Sequence, residues 1–164
     1  MKTLYILRHA KSSWDDANLS DFERPLNDRG LRNAPFMGKL MRKKGFEPAV
    51  IISSPAERAR QTAMLVKDAS GFSRDIRFDE RIYEASPHSL AQVVSEIADA
   101  NSSAMLVGHN PGIEGFIRFL TGDLEPMATA ALAVIDLNID KWNQVDDGCG
   151  KLQDVYRPKD LTAL

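Results

Sequence analysis

Short apolar runs alternate with longer amphipathic segments along the whole chain. Six of the runs have the length and composition of strands: residues 3–8, 49–53, 76–78, 104–108, about 129–138 and 151–156. Four segments between them carry apolar residues at helical spacing: residues 28–44, a segment after Ser54, residues 89–100 and a segment after Asn110. Strands that alternate with helices predict an α/β fold, a three-layer α/β/α sandwich with a mostly parallel central sheet. We expect a single domain over residues 1–164.

Turn and capping residues set the expected ends of the helices. Asn27 is placed to cap the first helix, and Gly45 is placed to end it. Pro35 lies inside this helix and predicts a kink or a break there. Ser54–Glu57 has the pattern of a capping box with proline at the first helical position, and we expect Asn110 to cap the last helix.

Composition narrows the functional classes. The chain has 164 residues, 43% of them hydrophobic and 27% charged, with a net charge of −2 that argues against a general nucleic-acid or anionic-membrane binder. No apolar run is long enough to span a bilayer, and the first residues lack the apolar region of a signal peptide. Cys149 is the only cysteine, so an internal disulfide is excluded and a reducing compartment fits. We therefore expect a cytoplasmic protein.

Cationic and imidazole side chains follow three of the predicted strands. Arg8 and His9 end the first strand, Arg58 lies at the start of the helix after the second, and His109 follows the strand at 104–108. The carboxyl ends of neighbouring parallel strands meet at one edge of a sheet, where α/β proteins bind their ligands. Two helix N-termini at the same edge would add backbone N–H groups. The sequence therefore predicts a pocket for a phosphoryl group with an imidazole nucleophile.

Three segments resemble the signature motifs of the histidine phosphatase superfamily, the phosphoglycerate mutase-like proteins. They are Leu7–Lys11 (LRHAK), Ser53–Ala63 (SSPAERARQTA) and Val107–Pro111 (VGHNP). Further features resemble the SixA-type phosphohistidine phosphatases more than the mutases: Arg24–Leu26, Gly30, the short chain and the ending Tyr156–Leu161. The resemblance covers nearly the whole chain.

The resemblance implies a phosphoglycerate mutase-like fold and a phosphohistidine intermediate on His9. Arg8, Arg58 and His109 would bind the phosphoryl oxygens, and water would then hydrolyse the phosphoenzyme without a metal or another cofactor. Physical chemistry agrees with these roles, because a neutral imidazole can attack phosphorus while guanidinium groups stabilise the equatorial oxygens. The three histidines of the chain lie on separate segments without the close spacing of a zinc site.

Further residues are candidates for the outer part of the pocket. Arg24 and Ser12 could bind substrate or form only a solvated rim. Glu84 could protonate a leaving oxygen, which an ester substrate requires, or it could be a solvated loop charge. The loop at 12–25 could cover the pocket, and His88 is expected to be solvated.

These observations favour an enzyme that removes phosphate from phosphohistidine on a protein. The alternatives are a small-molecule phosphomonoesterase or a phosphoglycerate mutase-like enzyme, and a phosphate-binding adaptor without turnover. The chain is short for the lid segments that a mutase needs against water, and an adaptor needs the arginines but no nucleophile. The expected partner is a phosphorylated protein histidine or a small phosphorylated compound, and the oligomeric state is left open.

Overall fold

A six-stranded sheet organises the computed structural model, which describes residues 1–161. The strands are β1 (Lys2–Arg8), β2 (Ile51–Ser53), β3 (Ile76–Phe78), β4 (Ser103–Gly108), β5 (Leu132–Leu137) and β6 (Gly150–Tyr156). Their order across the sheet is β3-β2-β4-β1-β5-β6, and β5 runs antiparallel to the others. The expected mostly parallel sheet is confirmed. The last three residues of the predicted domain, 162–164, lie outside the described residues.

Two pairs of helices cover the two faces of the sheet. The helices are α1 (Asp28–Lys44), α2 (Glu57–Ser70), α3 (Pro87–Ser95) and α4 (Gly112–Thr121). Side chains alternate between the faces of a strand, so Tyr5 and Leu7 of β1 join the core beneath α1 and α2. Leu4 and Ile6 join the other core, beneath α3 and α4. The three-layer α/β sandwich is therefore confirmed.

Among the described residues, no helix has both the length and the apolar character that crossing a membrane requires.

The ends of α1 follow the sequence prediction. The side chain of Asn27 accepts a hydrogen bond from the Gly30 N–H at 2.9 Å, and Gly45 ends the helix with a φ of 72°, in the left-handed region that favours glycine. The helix does not break at Pro35, so that part of the prediction is wrong. Proline removes one backbone hydrogen bond, but Ala34 and Met37 on either side of it are buried in the core beneath the helix.

The third helix differs from its predicted range of 89–100. It begins at Pro87, because Ser86 caps it by accepting a hydrogen bond from the Ser89 N–H at 3.2 Å and proline suits the first helical position. It ends at Ser95. The apolar spacing continues to Ile97 because that side chain is also buried in the core, although the backbone has already left the helix.

Candidate active site

Three adjacent strands bring the predicted residues to one edge of the sheet. β4 pairs in parallel with both β1 and β2, and Arg8 lies opposite Gly108 in this register. His9 and His109 directly follow two of these strands, and their ring centroids are 5.1 Å apart. Arg58, in the first turn of α2, lines the same cavity as His109. The structure therefore places these residues at one edge of the sheet.

The ring of His9 is buried and held in one orientation. Its Nδ1 lies 2.7 Å from the carbonyl oxygen of Ala10, and a carbonyl can only accept, so Nδ1 carries the proton and Nε2 keeps its lone pair. The Ala10 N–H in turn donates to the Thr62 hydroxyl at 2.9 Å. Burial and the nearby guanidinium groups lower the pKa of His9 to about 4. The ring is therefore neutral near pH 7, as a nucleophile must be.

The two arginines are fixed by different parts of the chain. Nη1 of Arg8 donates to the Met127 carbonyl at 3.0 Å. Arg58 donates from Nη1 to the Asp21 carbonyl at 2.7 Å and from Nη2 to the Asp21 carboxylate at 3.0 Å. Nε of each arginine is buried without a hydrogen-bond partner among residues 1–161. Such orphaned donors beside a cavity suit an anionic ligand.

His109 is held by Ser54, which the sequence pattern predicted to be a helix cap. Its Nε2 lies 2.7 Å from the Ser54 hydroxyl. The expected capping box at Ser54–Glu57 is wrong, because α2 begins at Glu57 with Ala56 as its cap residue, and the Ser54 hydroxyl turns to His109. Burial and then the nearby His9 and arginine charges lower the pKa of His109 to about 3.

Asn110 also does not cap the helix that follows it. The helix α4 begins at Gly112 after Pro111, and the Asn110 amide donates to the Glu114 carboxylate at 2.7 Å and to the Met127 carbonyl at 3.0 Å. Glu114 also accepts from the Met127 N–H at 2.8 Å. These bonds fix the carbonyl that holds Arg8. The amide therefore supports the pocket from behind instead of completing the helix end.

Asp21 links the loop at 12–25 to the cavity. Its carboxylate accepts hydrogen bonds from the Tyr83 hydroxyl at 2.7 Å, from Arg58 at 3.0 Å and from Arg24 at 3.2 Å. The Tyr83 bond first, and then the arginine charges, lower the pKa of Asp21 to about 2. Burial and Asp21 together raise the pKa of Tyr83 to about 12, so the phenol stays protonated. This contribution of Asp21 was not predicted from the sequence, although the Asp-x-x-Arg spacing to Arg24 is an indication of the ion pair.

The outer candidates differ in position. Arg24 is buried and donates to the Ser12 hydroxyl at 3.0 Å, while its guanidinium lies 3.4 Å from the ring centre of Trp14. Through these contacts, Arg24 and Ser12 stabilise the loop at 12–25. Glu84 is exposed at the cavity, with a φ of 54° that strains a residue with a side chain. His88 is exposed as expected.

A cavity of about 450 Å³ opens beside Arg58 and His109. Its lining comes from the loops after the strand ends: Asp21, Arg58, Tyr83, Glu84, Ala85, His109, Asn110, Pro111 and Gly112. The described residues hold no group of three or more histidine, cysteine, aspartate or glutamate side chains arranged to bind a metal ion. The buried cationic donors instead suit a phosphoryl group.

Two residues of α2 join the pocket to its surroundings. Gln61 accepts from the Leu26 N–H at 2.7 Å, and Thr62 donates to the Arg58 carbonyl at 2.7 Å. Arg58, Gln61 and Thr62 lie three and four residues apart, on one face of the helix. This spacing in the sequence indicates that the three side chains lie on the same side of α2, next to the pocket.

Comparisons with known proteins agree with this geometry. A model of the histidine phosphatase superfamily (branch 1) matches residues 4–111. The uncharacterized protein Rv1276c of Mycobacterium tuberculosis is 28% identical over 164 residues, which cover 93% of this chain and 100% of the relative. A solved structure from Agrobacterium tumefaciens, assigned as the phosphohistidine phosphatase SixA, is 29% identical with a TM-score of 0.83, over 96% of this chain and 98% of that one. The protein histidine phosphatase SixA complexed with tungstate shares the fold at 20% identity, with a TM-score of 0.86 over 98% and 99% of the two chains.

Proposed function

The chain belongs to the histidine phosphatase superfamily and is a phosphatase, and we propose that it removes phosphate from phosphohistidine on a protein. One observation carries the proposal. The ring of His9 is locked with a free Nε2 lone pair, next to arginines whose Nε groups lack partners among residues 1–161. This is an arrangement for nucleophilic attack on an anionic phosphorus centre.

In the first step of the proposed reaction, Nε2 of His9 attacks the phosphorus atom. A P–N bond forms at His9 as the P–N bond to the substrate imidazole breaks. The electron pair of the broken bond stays on the substrate ring, which leaves as a neutral imidazole when its other nitrogen is protonated. Arg8 and Arg58 donate to the phosphoryl oxygens as negative charge spreads over them.

In the second step, water attacks the phosphorus of the phosphoenzyme. The P–N electron pair returns to Nε2 of His9, and inorganic phosphate leaves with the oxygen of the water. The carbonyl of Ala10 accepts from Nδ1 throughout and keeps the ring in one orientation. His9 is then neutral and ready for the next cycle.

The proposed substrate class has three kinds of support. Phosphohistidine needs no acid from the enzyme when its imidazole leaves. The Tyr83 hydroxyl donates to Asp21 and has a pKa of about 12, so it keeps its proton and does not act as such an acid. The cavity opens at the edge of the sheet, where Glu84 is exposed, so a side chain presented by another protein can enter. The likeness to the Agrobacterium tumefaciens structure supports the same substrate class.

A small-molecule phosphomonoesterase is the second candidate, because one observation favours it. An alkoxide is a poor leaving group, and Glu84 lines the cavity where a general acid would be needed. Its strained backbone, with a φ of 54°, is a feature that often accompanies functional sites.

The deciding experiment compares two substrates with three proteins. Wild type, His9→Ala and Glu84→Gln are incubated with a carrier protein phosphorylated on histidine and with p-nitrophenyl phosphate. We expect fast release of phosphate from the carrier by wild type and Glu84→Gln, and none by His9→Ala. Rapid ester cleavage that Glu84→Gln loses would favour the phosphomonoesterase, and no turnover of either substrate by wild type would favour a binding adaptor.

Two wider expectations belong to the same proposal. We propose that the reaction needs no metal, so EDTA should leave the rate of the wild type unchanged, and a loss that zinc restores would refute this. We also propose that the protein acts in the cytoplasm, which its single cysteine supports and which fractionation of the source cells tests.

A further inference from the structure

Ser54 and His109 share a short hydrogen bond whose direction the surroundings decide. The two atoms, Oγ and Nε2, are 2.7 Å apart, and Ser54 is fully buried. The same hydroxyl oxygen accepts a hydrogen bond from the Ala56 N–H at 3.2 Å. Among residues 1–161, Nε2 of His109 is the one acceptor that the structure offers to the hydroxyl proton. The proton therefore points to His109, because the reverse direction would bury it without an acceptor.

The direction of this bond determines where His109 carries its own proton. A ring nitrogen that accepts has no proton, so the proton of the neutral ring lies on Nδ1. Nδ1 is buried and has no partner among the described residues. The ring that carries it lies 5.1 Å from the ring of His9, centroid to centroid.

We propose that Ser54 is a positioning residue that fixes His109 as the neutral Nδ1–H tautomer, so that Nδ1 donates to the transferring phosphoryl group. The proposal rests on the proposed function in one respect, the presence of a phosphoryl group between the two histidines. It gives the serine a role through His109, without contact to the substrate.

The two histidines then use the same tautomer for opposite purposes. The Ala10 carbonyl selects Nδ1–H in His9 and leaves the bare Nε2 for attack on phosphorus. The Ser54 hydroxyl selects Nδ1–H in His109 by occupying Nε2, and leaves the protonated nitrogen as a donor. A neutral donor adds no further positive charge beside Arg8 and Arg58, which would repel a third buried cation.

Nitrogen NMR on protein labelled with ¹⁵N-histidine reads the tautomer directly, with no substrate present. The chain has three histidines, so the spectrum of His109→Gln assigns the resonances. At pH 7 we expect a protonated, pyrrole-type Nδ1 and an unprotonated, pyridine-type Nε2 for His109. A pyrrole-type Nε2 in the wild type would overturn the proposal.

A pair of adjacent serine variants separates positioning from packing. Ser54→Ala removes the donor to His109, whereas Ser53→Ala removes an equally buried hydroxyl that donates only to the Ser54 carbonyl, at 2.9 Å. We expect Ser54→Ala to populate the other tautomer of His109 and to lower kcat about tenfold, the loss of one hydrogen bond, with a smaller change in KM. Ser53→Ala should keep the wild-type tautomer and kcat. An unchanged tautomer in a folded Ser54→Ala protein would refute the role of Ser54.

The tautomer experiment and the substrate experiment fail in different ways. If wild type does not turn over phosphohistidine, the proposed function is refuted, but the NMR spectrum still reports which nitrogen of His109 carries the proton. If wild type turns over substrate while His109 has the opposite tautomer, the proposed function stands and the role of Ser54 is refuted.

Discussion

The acid stability of the protein should depend on His9. In the unfolded chain this histidine binds a proton with its ordinary pKa of 6.5, whereas burial lowers the pKa to about 4 in the folded protein. Between these two values the unfolded state holds more protons, so the free energy of unfolding falls as the pH falls. The contribution is fully present above pH 6.5 and is lost between about pH 6.5 and 4.

The size of this effect follows from the two pKa values. Between pH 7.5 and pH 4.5, the proton linkage of His9 amounts to about 2.5 kcal/mol. The glutamine of His9→Gln cannot titrate. Between pH 7.5 and pH 4.5 the free energy of unfolding of the variant should therefore fall by about 2.5 kcal/mol less than that of wild type. His9 also lowers the pKa of His109, so its removal reduces the linkage of the second histidine in the same direction.

Urea denaturation at several pH values measures the difference. Fluorescence of Trp142, which is fully buried, reports unfolding, and buffers free of phosphate and sulfate limit stabilisation by an anion bound in the pocket. His88→Gln is the matched control, because it makes the same replacement at an exposed histidine outside the cavity. Parallel curves for wild type and His9→Gln would refute a buried, neutral His9.

Two further variants test the surroundings of the pocket. Gly30→Ala would press a methyl group against the Lys11 carbonyl, close to His9, and should cost about 1–3 kcal/mol of stability and reduce kcat, as urea denaturation and phosphohistidine assays would show. Gly38→Ala, whose Cβ would lie 2.6 Å from a carbonyl of α2, should cost similar stability but retain kcat, and an equal loss of kcat in both would contradict this placement. Asp21→Asn removes a negative charge beside Arg58, so inorganic phosphate should inhibit about threefold more strongly, and weaker inhibition would count against the role of that charge.

The convergence of Arg8, His9, Arg58 and His109 could be predicted because parallel strands place their carboxyl ends at one edge of a sheet. The prediction required only that the three strands be neighbours, which the order β2-β4-β1 satisfies. The apolar runs identify the strands, and the motifs place Arg8, His9, Arg58 and His109 at or just after their ends. The observed sheet and the positions of these four residues therefore agree with the prediction from the sequence.

The partners of these residues could not be predicted in the same way. The pattern at Ser54 fits a helix cap, and only the position of β4 beside β2 brings His109 within reach of its hydroxyl. Asp21 meets Tyr83 across 62 residues of sequence, from a loop without periodicity. Such bonds depend on how distant loops pack, and capping or periodicity rules do not describe that packing.

The most direct test of the central claim is to trap the phosphoenzyme and locate its phosphate. Rapid quenching in alkali of wild type mixed with a ³²P-phosphohistidine carrier should preserve a labelled, acid-labile protein that His9→Ala does not form. Because the Ala10 carbonyl occupies Nδ1 of His9, the phosphate should be on Nε2, which antibodies specific for each phosphohistidine isomer can distinguish. Turnover without any phosphoenzyme, or a phosphate on Nδ1 or on another residue, would contradict the account.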